Sequence, residues 1–151
     1  MRIIASFALL AALALPSAHA SSNDSELVLD SNRLAQLELR AEHAGSRERC
    51  YLYTELIHVY TEVAGKQIAA GDIEHATATL KRVQQFAGII HTGLARDTKR
   101  LKDAEILLHN STYRLGEYLH IVSSEDTELV QATKKQLDQI HEELLAQVFT
   151  H

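Results

Sequence analysis

The sequence holds no tryptophan, and among its 151 residues there is one cysteine, one proline and one methionine. Each shortage excludes something. Cys50 alone cannot make an intrachain disulfide, a CxxC redox pair or a haem-attachment motif. The methionine is Met1, so a chain that loses its leader has no Met to ligate haem iron. The proline is Pro16, and nothing after it forbids a helix. Long apolar runs are also scarce. The only one, residues 3–15, is too short to span a bilayer.

That run has a role of its own. Arg2 precedes it, Pro16 breaks it, and Ala18-His19-Ala20 supplies a small-x-small cleavage pattern. Together these read as a secretory signal peptide over residues 1–20, cut after Ala20. No Cys follows the cut, which argues against a lipoprotein. The expected mature chain is exported to the periplasm or beyond, soluble, with no stable membrane insertion after signal cleavage. Removing Arg2 takes the formal charge from -5 to -6. Acidic and basic residues are interspersed, so this charge favours solubility and argues against nucleic acid as a partner.

What remains is rich in Ala, Leu, Glu, Gln, Lys and Arg, the good helix formers. Residues 21–25 read as a flexible N-terminal arm and residues 26–151 as one helical bundle domain. A first helix is expected over Glu26 to Ala44. Gly45-Ser46 stops it and caps a second, Arg47 to Ala70. Gly71-Asp72 is a tighter turn, with Asp72 an N-cap, and residues 123–126 cap a last helix to Phe149. Between Asp72 and Val122 a heptad register runs through Ile73, Ala76, Leu80, Val83, Ala87, Ile90, Leu94, Leu101, Ala104, Leu108, Leu115 and Val122. It fits one long helix spanning about 72–122, or two helices parted near Gly93. The expected fold is all-α: an antiparallel bundle of four to five helices.

Tyr60, Val63-Ala64, Gly71-Asp72-Ile73, Ala76, Leu80 and Val83 together resemble a single tetratricopeptide-repeat hairpin over residues 60–84. The usual first-helix Tyr is Gln67, and Glu105 stands where a second copy needs Gly. A solenoid needs about three repeats. The segment is therefore read as a generic helical hairpin, and the rest is similar to uncharacterised secreted helical proteins.

Four acid-x-x-His pairs occur: Glu55/His58, Asp72/His75, Glu117/His120 and Asp138/His141. Paired Glu-x-x-His helices are the di-iron carboxylate pattern, whose ligands must all project inward. Helical phase instead turns His58, Glu117 and His120 away from the apolar stripes. These pairs read as solvated neighbours three residues apart. His43, His91, His109 and His151 show no ligand-like spacing. No metal and no cofactor is expected. No nucleophile elbow, phosphate loop or HExxH is present, so no catalytic residue is assigned and the chain reads as non-enzymatic. Arg96, Lys99, Arg100 and Lys102, interrupted by Asp97 and Asp103, read as a solvated face before an anion-binding one.

The segment 47–70 is the most unusual. It carries one stripe at Leu52, Leu56, Val59, Val63 and Ala70, and a second at Cys50, Tyr53, Ile57, Tyr60, Ala64 and Ile68. A helix apolar on two faces has two partners. The second stripe is either covered inside the monomer or is an interface, with a symmetric homodimer the simplest way to close it. Cys50 reads as a buried thiol, with an interchain disulfide the alternative. The leading function is a non-enzymatic interaction or scaffold protein of the bacterial cell envelope, with a protein partner of unknown identity. A periplasmic holdase-type chaperone and a metal-binding bundle are the alternatives. The first of these lacks the LTxxQ signature of small helical stress chaperones.

Overall fold

The computed structural model describes residues 21–94 and 98–150, with side chains from residue 31 onward. Residues 1–20, read above as a signal peptide, lie outside the described residues, as do Arg96, Asp97 and His151. Five helices follow one another: α1 (Ser21–His43), α2 (Ser46–Ala69), α3 (Ile73–Gly93), α4 (Leu101–Tyr118) and α5 (Thr127–Thr150). The all-α bundle is as expected, and no strand occurs among the described residues. α1 begins at Ser21, ahead of the expected Glu26, so its backbone takes in the segment read as an arm.

Turn chemistry sets the helix ends. Gly71 takes the left-handed conformation at φ 76. Its N–H donates to Ile68 O and that of Asp72 to Gln67 O, closing α2 in a Schellman motif. Asp72 then caps α3, accepting from the His75 backbone and from His75 Nδ1. At the other turn Gly45, not Ser46, is the N-cap of α2, and no side chain caps it.

The heptad register breaks after Gly93. Leu94 is extended, and the chain re-enters helix through Arg100 at φ 55. The Lys99 N–H donates to Arg47 O at 2.8 Å, which pins this connection to the start of α2. The two halves of the register each bury their own stripe: Leu80, Val83 and Ala87 on α3, Ala104, Leu108 and Leu115 on α4. Folding the halves apart lets both stripes share one core, which a single long helix would have left half-covered.

α2, α3, α5 and α4 form a four-helix ring in that order, with α3 and α4 on a diagonal. α2 and α3 run antiparallel, as do α4 and α5. α2 and α4 run parallel, since Lys99 meets Glu48 at one end and Arg114 meets Glu62 towards the other. α1 stands outside the ring, against α2. The core is fully apolar at Leu56, Ile57, Leu137, Ile140 and Leu144. A minority of hydroxyls are buried with it. Thr54, Ser111 and Thr133 return theirs to carbonyls one turn back, at 2.8 Å each, as buried polar groups require.

α2 therefore has three neighbours, and its second apolar stripe is covered within one chain, while Val59 and Val63 of the first are only half-buried. Cys50, Tyr53, Ile57, Ala64 and Ile68 are buried, and Tyr60 is half-buried. This corrects the expectation that the second stripe is an exposed interface awaiting another copy. The break after Gly93 lets α3 and α4 both pack on α2. His58 is corrected likewise. It is half-buried at the α2–α4 contact, with Nδ1 3.4 Å from Ser111 Oγ, because α4 covers a face of α2 that one partner would have left open.

Candidate functional site

α1 packs along α2 alone and reaches α3 only through the side chain of Glu38. Ala41 is fully buried there, while Leu34 and Leu37 are only half-buried beside Val59 and Val63 of α2. A groove runs along each flank of α1. One is lined by Arg33, Leu37 and Arg40 opposite Glu55, Val59 and Glu62. The other is lined by Leu34, Ala35 and Glu38 opposite Tyr60, Val63 and Gln67. Lys66 borders both. Each groove has an apolar floor and a rim of both charges, the composition of a protein-binding surface.

A clasp holds α1 in place. Glu38 accepts from the Tyr60 hydroxyl and, through its other oxygen, from Arg82 of α3 at 2.8 Å. The Arg82 guanidinium lies 4.7 Å from the centroid of the Phe86 ring. Phe86 in turn meets Tyr53 and Tyr60, with centroids 5.6 and 5.4 Å apart. Burial and the Glu38 carboxylate push the Tyr60 hydroxyl up to about 12. Two members of the expected interface stripe, Tyr53 and Tyr60, thus serve an internal α1–α2–α3 junction. Cys50 is buried, free, and pushed up to about 11 by that burial, which opposes thiolate chemistry.

A third groove lies between α4 and α5. His109, Tyr113, Glu117 and His120 line one side, and Lys134, Asp138 and His141 the other. Glu117 and His120 are exposed, as their helical phase predicts. His141 and His109 meet across it, a juxtaposition that sequence reasoning missed. Glu55 lies instead in the groove beside α1. Among the described residues no three His, Cys, Asp or Glu side chains are placed to hold a metal ion together.

Two described members of the basic cluster are ion-paired. Lys99 meets Glu48 at 3.1 Å, and Arg100 meets Asp103 at 2.9 Å while stacking 3.6 Å from the Tyr51 ring centroid. No helix among the described residues is long and apolar enough to cross a membrane. Comparison with protein-family models, curated proteins and solved structures finds no match to the chain.

Proposed function

We propose that the chain is an exported, non-enzymatic interaction protein of the cell envelope that seats a segment of a partner protein in the grooves beside α1. One observation carries this reading: α1 is fixed to the bundle at the Glu38 clasp, yet its Leu34 and Leu37 are only half-covered. An amphipathic helix laid beside it would complete the burial of Leu37, Val59 and Val63, the helix-in-groove mode of recognition. The mixed rim of Arg33, Arg40, Lys66, Glu55 and Glu62 suits a partner carrying both charges. Among the described residues the large exposed apolar ones are Leu39, Ile106, Tyr113, Ile121 and Phe149. They are spread over α1, α4, the turn after it and α5, which favours a groove over the broad apolar face a holdase needs.

Affinity capture from envelope extract tests this. Wild-type protein is expected to retain a partner that Leu37→Asp loses and Ile106→Asp keeps. Loss of the partner in Ile106→Asp with retention in Leu37→Asp contradicts the assignment.

A further inference from the structure

His109 on α4 and His141 on α5 face one another across the α4–α5 groove, with ring centroids 5.4 Å apart and planes inclined by 47°. With metal–nitrogen bonds of about 2.0–2.1 Å and a ring radius of ~1.1 Å, two imidazoles bound tetrahedrally to one ion have centroids ~5.2 Å apart. The observed spacing matches. His141 Nε2 lies 2.7 Å from Glu105 Oε1. An ionised carboxylate only accepts hydrogen bonds, so Nε2 carries the proton and Nδ1 of the neutral ring keeps its lone pair. A carboxylate behind an imidazole is how metal-binding histidines are oriented. The His141 side chain is only 16% exposed and that of Glu105 23%, so packing holds this pair. His109 is exposed and leaves the approach open.

We propose that His109 and His141 form a two-histidine site for a divalent transition-metal ion, with Glu105 as its positioning residue. Asp138, the acid of α5 that lines the same groove, is tied to Lys134 at 2.8 Å. Water therefore completes the coordination shell, and the ion exchanges. Imidazole suits zinc, nickel and copper, with Cu²⁺ bound most tightly. The site is independent of the grooves beside α1.

The test is calorimetric titration of tag-free mature protein with Cu²⁺ and with Zn²⁺, backed by copper electron paramagnetic resonance. One ion per chain is expected, with nitrogen hyperfine structure from two imidazoles. His109→Ala and His141→Ala should each weaken binding at least tenfold, while His120→Ala, in the same groove, and His91→Ala bind as wild type. Glu105→Gln should weaken binding about tenfold or more. His109 is exposed, so its variant keeps the fold and its result stands alone. Wild-type affinity in His109→Ala, or no uptake at millimolar metal, would overturn the site. Wild-type affinity in Glu105→Gln would overturn the positioning role.

Discussion

Tyr118 of α4 occupies the space where a side chain at position 65 of α2 would stand: a methyl on Gly65 would collide with the Tyr118 hydroxyl and ring. Glycine here serves close helix packing. Gly65→Ala should destabilise the protein by about 1–3 kcal/mol through overpacking. The cost should shrink when Tyr118 is replaced by Leu, giving a coupling above ~0.5 kcal/mol in a double-mutant cycle. Urea denaturation of the four proteins reads this, and strict additivity would show that the two residues do not share the space.

Burial and Glu38 raise Tyr60 to about 12. A raised folded value means that the associated stability is full below the unfolded value near 10 and is lost as pH climbs towards 12. Wild-type stability should therefore fall across this alkaline window more steeply than that of Tyr60→Phe. The same slope in both proteins would mean that the clasp does not hold the phenol neutral.

Cys50 is buried and its thiol is raised to about 11. Thiol-reactive dye should label it slowly in the native state at pH 8 and rapidly in denaturant, since the thiolate is the nucleophile. Fast native labelling, or a disulfide-linked dimer on a non-reducing gel, would contradict this. Ile57, fully buried on the same stripe, gives a companion result: Ile57→Asp should unfold the chain, because it buries a charge with no partner.

Glu62 takes two bonds from Arg114, 2.9 and 3.2 Å, and Arg114 holds it below the usual carboxylate range. A lowered folded value gives stability that is present above the unfolded value near 4.3 and lost as pH falls through the lower folded one. The pair is partly exposed, so its worth is about 0.2–1 kcal/mol. Glu62→Gln should show that deficit at pH 7 and none in strong acid. A deficit that persists at pH 2 would place its origin in packing.

Local signals carried much of the fold. Gly71-Asp72 ends α2 and caps α3 as its chemistry requires, and the heptad positions Ala76 to Ile90 and Ala104 to Leu115 are core positions. The break after Gly93 was one of two readings, because the register runs through it and only three-dimensional sharing of the core decides between the two chain paths. The role of the second α2 stripe followed from that choice. The Glu38–Tyr60–Arg82 clasp joins residues from three helices and leaves no trace in spacing. The His109–His141 pair did leave one. Both residues stand about equally far from the turn at 123–126, as partners across an antiparallel hairpin do, and Glu105 sits one turn before His109.

The central claim is that the half-covered flank of α1 receives a partner protein. Site-specific photocrosslinking in intact cells exporting the protein tests it most directly. A crosslinker at Leu37 or Val63 should capture one discrete partner, and the same group at exposed Lys81 on α3 should not. No adduct from the groove positions, or the same adduct from Lys81, would contradict the account.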